Sequence, residues 1–163
     1  MWLSKSCART VRFCTSWHSD EHSMIVWISR TLALAIHDLQ LAEHGGGSGV
    51  RDDGLLDSAL ARPQQLFAYG EPPPDLADLA ASLAHGLARN HPFVDGNKRT
   101  AHVCYRVFLQ LNNGRLQASA EEKYAAMIGL AEGSISESDF AAWLRERIVI
   151  ERQDEQQESA ADY

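Results

Sequence analysis

Seven residues, Asn90 to Gly96, separate two stretches with helical periodicity, and this junction constrains the fold more than any other part of the chain. Upstream, Leu76, Leu79, Ala80, Leu83, Ala84 and Leu87 recur at three- and four-residue spacing, the pattern of a helix with a buried stripe. Asp75 is a suitable N-cap, and the pattern predicts a helix to about Arg89. Downstream, Cys104, Val107, Phe108 and Leu111 share one face of a second predicted helix, from about Asn97 to Leu111. Pro92 and Gly96 both oppose a helix running straight through. The two helices are therefore joined by a tight loop, and that loop is unusually polar.

The rest of the chain reads as further helices. Leu32, Ile36, Leu39 and Ala42 predict a helix over Ser29 to Glu43, ended by Gly45-Gly46-Gly47. Gly45 to Gly54 reads as a glycine-rich loop. A short helix follows with Leu55, Leu56, Ala59 and Leu60 on its apolar side, and Pro63 is expected to close it. Phe67 to Pro74 reads as a loop holding Tyr69, Gly70 and three prolines. Ser119 and Glu122 form a capping box for a helix to about Ala131. Ser136 and Asp139 open a last helix carrying Phe140, Trp143, Leu144 and Ile148. Residues 24 to 28 are apolar and β-prone, and fit either a short strand or the approach to the first helix. The fold class is all-α: a single-domain bundle of roughly five or six helices, with room for a short N-terminal strand or β-flap.

Composition narrows the setting. With 163 residues the chain holds one domain, which we place at residues 24–150. A net charge of −7 makes a dedicated nucleic-acid binder a poor reading, and no partner nucleic acid is expected. No run approaches the roughly 20 apolar residues of a membrane span, so no membrane partner is expected. Three cysteines, Cys7, Cys14 and Cys104, show no metal spacing and fit free thiols in the cytoplasm. Cys104 falls in an apolar stripe and reads as a core residue. Residues 1–23 are Ser-rich and basic but lack the apolar stretch of a secretory signal. We read them as a loose or non-native extension before Met24, and residues 151–163 as a disordered acidic tail.

The junction carries the chemistry. His91, Asp95, Gly96, Asn97, Lys98, Arg99 and Thr100 stand within ten residues. Gly96 permits positive φ and close approach to the backbone. The unpaired amides at the start of the next helix, at the positive end of its dipole, form an anion site. Lys98 and Arg99 add positive charge there, which is the wrong sign for helix stability unless an anion binds. Phosphate oxygens would supply that anion. Asp95 places a carboxylate where Mg²⁺ could bridge to a nucleotide. His91 is the loop's group for taking a proton near neutral pH. A base, a metal carboxylate and a cationic cradle suit transfer of a phosphorus-centred group to a hydroxyl. Blander roles exist for each: a structural hydrogen bond for His91, helix capping for Asp95, a solvated pair for Lys98 and Arg99.

The segment HPFVDGNKRTA resembles the signature of the Fic/Doc superfamily, whose adenylylating branch reads HPFx(D/E)GNGRxxR. AIHDLQLAEHGG, GLLDSALARPQ, LAHGLARNHPFVDGNKRTA and FLQLNNGRL resemble successive blocks of the death-on-curing branch, and the likeness spans roughly residues 26–148. The resemblance implies a Fic-like helical fold with His91 as the base acting on the target hydroxyl. It implies Asp95 as the Mg²⁺ ligand, Gly96 and Asn97 in the anion hole, and Arg99 on the phosphates. Phe93 would be the buried anchor of the loop, and the loop around Tyr69 a flap that aligns the target segment. It further implies ATP or another nucleoside triphosphate as co-substrate, Lys98 and Thr100 among the nucleotide-binding residues, and Lys98 among the catalytic ones. The death-on-curing branch shares the NKR run and phosphorylates a translation elongation factor; such toxins are paired with a cognate antitoxin. The adenylylating branch has Gly where Lys98 stands and Arg where His102 stands, so both positions speak against AMP transfer, while Gly96 speaks for it. A third reading, of another class, is a silent partner-binding module on the same fold. His37 and His44 read as a satisfied structural and a surface histidine, and Trp27 and Trp143 as core or interface aromatics.

Overall fold

The computed structural model describes residues 24–151. The extension read over 1–23 lies outside them, as does the tail read over 151–163 apart from its first residue, Glu151. The order of elements is α1 (Arg30–His44), α2 (Asp53–Tyr69), α3 (Leu76–Asn90), α4 (Asn97–Leu111), β1 (Gly114–Leu116), α5 (Ala120–Glu132), α6 (Glu137–Arg145) and β2 (Ile148–Ile150). One apolar cluster joins all six helices. The bundle is all-α apart from a small antiparallel ribbon, β1–β2, paired from Gly114↔Ile150 to Leu116↔Ile148.

Helix α3 runs through the middle. It packs against α2, α4 and α6, and Leu76, Leu79, Leu83 and Leu87 are all buried. Ala77, Ala80, Ala81, Ala84 and Ala88 are buried too. A helix that is apolar on nearly every side must be enclosed on nearly every side. Its N-terminus is held twice. Asp75 and Asp78 form a reciprocal capping box, and Arg145 of α6 binds both carboxylates. Helices α1, α2, α5 and α6 also begin at side-chain caps: Ser29, Asp52, Ser119 and Ser136. Each satisfies an amide that the first turn leaves without a helical partner. Helix α4 begins at Gly96 with no side-chain cap.

Two expectations change, and one open alternative is decided. Pro63 does not close α2, which continues to Tyr69 with the proline inside it. Pro63 has no N–H for the Ala59 carbonyl, but the ring is buried in the bundle. Leu66, beyond it, packs on the core, and Phe67 meets Trp27 edge to face at 5.7 Å. Tertiary packing thus carries the helix past its weak point. Ile148 lies in β2, not on the last helix, which ends at Arg145. Of the two readings of residues 24–28, the structure has the approach to the first helix: residues 24–29 form no strand. They are pinned instead by the Asn112 amide, which accepts from Val26 N–H at 2.9 Å and donates to Val26 C=O at 3.0 Å. At the other limit of the described residues, Glu151 N–H donates to Asn113 C=O at 2.8 Å.

Gly86 sets how closely α3 meets α2. A Cβ there would lie 3.2 Å from both Cα and the carbonyl oxygen of Ala59. Backbone does not yield as a flexible side chain does. Gly86→Val is therefore expected to lower the unfolding free energy by about 1–3 kcal/mol, read from urea denaturation. Gly86→Ala should cost less, because its gain in helix propensity offsets part of the crowding.

Candidate functional site

The site residues read from sequence all lie where α3 gives way to α4. His91 is the C-cap of α3, in the left-handed conformation at φ 50° and ψ 54°. It is exposed. Pro92 and Phe93 turn inward and are buried, while Val94 and Asp95 face out. Gly96 is left-handed at φ 74° and starts α4. These two left-handed residues bracket the loop and reverse the chain between two packed helices. Glycine tolerates such backbone best, and among other residues Asn, Asp and His are the ones enriched there.

Asn97 fixes the loop from inside. Its side chain accepts from Phe93 N–H at 2.9 Å and donates to Phe93 C=O at 3.0 Å. Phe93 is 1% exposed, so water cannot replace those bonds. A second segment holds the loop from outside. Val50 and Phe93 form an isolated antiparallel bridge, Arg51 N–H donates to Pro92 C=O at 2.7 Å, and Val94 N–H donates to Gly49 C=O at 3.0 Å. The glycine-rich stretch before α2 therefore pairs its backbone with the loop. The Tyr69 loop, expected as a flap, sits at the other end of α3. That helix has 15 residues and is about 22 Å long. The segment beside His91 is residues 45–51 instead.

The cations are not bare. Lys98 Nζ lies 3.3 Å from Glu132 at the end of α5. Arg99 lies 3.8 Å from Asp95 Oδ2 and donates to Gly45 C=O at 3.1 Å. The conflict between positive charge and the helix start is thus partly met by two carboxylates: Asp95, four positions before Arg99, and Glu132, which sequence spacing could not place. Both pairs are largely solvated, and such pairs hold by about 1 kcal/mol or less. An arriving phosphate can displace them. Asp95 does not cap α4; its Oδ1 accepts from Gly96 N–H at 2.6 Å. No acidic residue lies in the first turn of α4.

Thr100 departs from its expected place. It is fully buried, and its hydroxyl meets His37 Nδ1 at 3.1 Å. Its side chain supports the site from behind and does not line it. His102 is held neutral: burial, then the charges of Arg106 and Lys123, push its pKa down to about 4 from 6.5. At neutral pH it supplies no cation where the adenylylating pattern has Arg. The sign for stability follows. Below pH 6.5 the unfolded chain binds a proton at His102 that the folded chain refuses until about pH 4, so stability should rise with pH across that window. His37 and His85, both lowered chiefly by burial, act in the same direction. Urea unfolding at intervals across the window should show the slope, and His102→Phe should flatten it. Cys104 is a core thiol, as its stripe predicts, and burial pushes it up to about 12.

A single Asp is available for a divalent cation. Among the described residues no three His, Cys, Asp or Glu side chains cluster as metal ligands. The one exposed carboxylate of the junction, Asp95, could serve a cation such as Mg²⁺, which usually takes one or two carboxylates and completes its shell with water and substrate phosphates.

Six helices among the described residues with α3 at their centre, and an exposed imidazole, a carboxylate and two lightly held cations at an uncapped helix start, define the architectural class. The Fic/DOC family model matches residues 27–109, and the chain belongs to the Fic/DOC family. It is 36% identical over 118 residues to a protein named Protein kinase doc from Escherichia phage P1, across 72% of this chain and 92% of that one. It is 51% identical over 74 residues to a protein named Toxin Doc from Mycolicibacterium smegmatis, across 45% of this chain and 57% of that one. Against the latter the match spans little more than half of the relative's length. No helix among the described residues is long and apolar enough to cross a membrane.

Proposed function

We propose that this chain is a toxin of the Doc type that moves a phosphoryl group from a nucleoside triphosphate to a hydroxyl of a target protein. The observation that carries this reading is Lys98. It stands in the first turn of α4, where the adenylylating pattern has glycine, and a loose pair with Glu132 holds it. A lysine in that turn occupies the space a glycine would leave for phosphates lying against the backbone. It also offers its charge to the outermost phosphate. That favours attack at the terminal phosphorus over attack at the phosphorus beside the ribose. The name of the phage relative, Protein kinase doc, points the same way.

In this reading the amides of Asn97, Lys98 and Arg99 receive phosphate oxygens, since helix geometry leaves them without internal partners. Arg99 exchanges its Asp95 contact for phosphate. Asp95 would hold Mg²⁺, which would supply charge neutralisation between phosphates. His91, exposed at the mouth of the loop, takes the proton from the target hydroxyl as that oxygen attacks. The phosphorus–oxygen bond to the nucleoside diphosphate breaks, and the diphosphate leaves. Gly49 to Arg51 already pair their backbone with the loop, and Gly46 and Gly47 lie against Asp95 and Val94, a stretch that would suit alignment of an extended target segment. The target class is a translation elongation factor, the setting cytoplasmic, and a cognate antitoxin the natural partner.

One observation favours AMP transfer as a second reading. Gly96 is left-handed and starts α4, and it is the residue the adenylylating pattern has at this place. Labelled ATP separates the two. Incubated with a bacterial extract, the protein should mark a target with γ-label and not with α-label. The modified target should gain about 80 Da, the phosphoryl mass, not the about 329 Da of adenylyl. α-Label on protein without γ-label overturns the kinase reading.

A further inference from the structure

The histidine in α1 has more to do than fill space. His37 is 1% exposed. Its ring lies flat on Phe93, centroids 3.9 Å apart and planes 11° from parallel. Nδ1 meets the Thr100 hydroxyl at 3.1 Å. Cε1 lies 3.7 Å from where a side chain on Gly96 would begin. One imidazole therefore contacts the loop anchor Phe93 and Thr100 of α4, and lies beside the space over Gly96, the left-handed residue that starts α4. Its remaining nitrogen, Nε2, is buried with no hydrogen-bond partner among the described residues. If the Thr100 hydroxyl donates to Nδ1, Nε2 is a bare donor; if Nδ1 donates, Nε2 is a bare acceptor. An unpaired buried polar atom opposes stability. A phenylalanine would stack as well without it.

We infer that His37 is a positioning residue for the phosphate-binding turn, fixing Gly96 and the α4 amides by gripping Phe93 and Thr100 at once. The inference rests on the proposed nucleotide site. It assigns His37 no contact with substrate. Its effect passes through the backbone of residues 93–100, so it should appear in nucleotide affinity more than in global stability.

The test uses the full chain with Mg²⁺ and a non-hydrolysable ATP analogue, titrated calorimetrically. His37→Phe keeps the stack and removes the hydroxyl contact. It should weaken analogue binding about tenfold while the melting temperature holds or rises. Thr100→Val should weaken it comparably, and Thr100→Ser should recover most of that loss. The double variant His37→Phe, Thr100→Val should be no weaker than the weaker single variant, because both cut one link. Wild-type affinity in His37→Phe overturns the inference, as do losses that multiply in the double variant. If His37→Phe does not fold, the Thr100 pair decides, and equal affinity of Val and Ser overturns it. Wild-type protein that binds no analogue sinks the proposed function instead. Amide exchange at residues 93–97 of the free protein still judges positioning: it should quicken in His37→Phe, and unchanged exchange overturns the inference.

Discussion

His91→Asn should lower the rate of group transfer about 10²–10⁴-fold, the usual contribution of a positioned general base, with little change in folding. The choice of asparagine matters. His91 sits at φ 50° and ψ 54°, where a residue with an ordinary Cβ pays roughly 1–2 kcal/mol and asparagine pays less. His91→Ala would mix that strain with the lost imidazole. The ring is exposed, and no hydrogen bond or ion pair ties it to the described residues, so removing it strips no support from the fold. The measurement is transfer of labelled phosphate, paired with thermal melting. Full activity in a folded variant would take His91 out of the chemistry. Growth arrest that survives the substitution when the chain is expressed alone would mean that binding, not transfer, does the harm.

Asn97→Ala should lower the unfolding free energy by about 2–5 kcal/mol and abolish nucleotide binding. One side chain satisfies both main-chain groups of Phe93, and each group left orphaned in a dry site costs about 1–3 kcal/mol. The lost stability appears in the urea midpoint. The lost binding follows because Asn97 also opens α4, so its displacement carries the amides with it. Asn97→Asp separates the two effects. It retains an acceptor for Phe93 N–H and loses the donor to Phe93 C=O, so stability falls less. It also puts a carboxylate at the helix start, where it repels phosphate, so binding should fall as far as in the alanine variant. A stable Asn97→Ala chain with intact binding would show that residues 45–51 alone can hold the loop.

Sequence showed the junction well because its signals are local. Pro92, Gly96 and the change in apolar phase mark where α3 stops and α4 starts. The caps at Asp75, Ser119 and Ser136 are equally local, and each appears where the pattern puts it. Features that depend on distant partners were not legible. Glu132 lies 34 positions from Lys98, and nothing in their spacing pairs them. His37 lies 63 positions from Thr100; its only local signal is a polar residue on the inner side of an apolar stripe. Pro63 misleads because local rules count the lost hydrogen bond and not the packing of Leu60 and Leu66 on either side. The Tyr69 loop misleads for a related reason: adjacency in sequence to α3 says nothing about which end of α3 holds the chemistry.

The clamps at Asn112 and Asn113 have a practical corollary. Val26 and Glu151 bond to adjacent residues just past the end of α4, so the two limits of the described chain lie side by side. They lie beyond the far end of a 15-residue helix from the His91–Gly96 loop, about 22 Å away. Circular permutation that links those limits with a few glycines and opens the backbone in the 71–74 loop should leave the chemistry undisturbed. Fluorescent reporters grafted at either limit would ride clear of anything docking at His91.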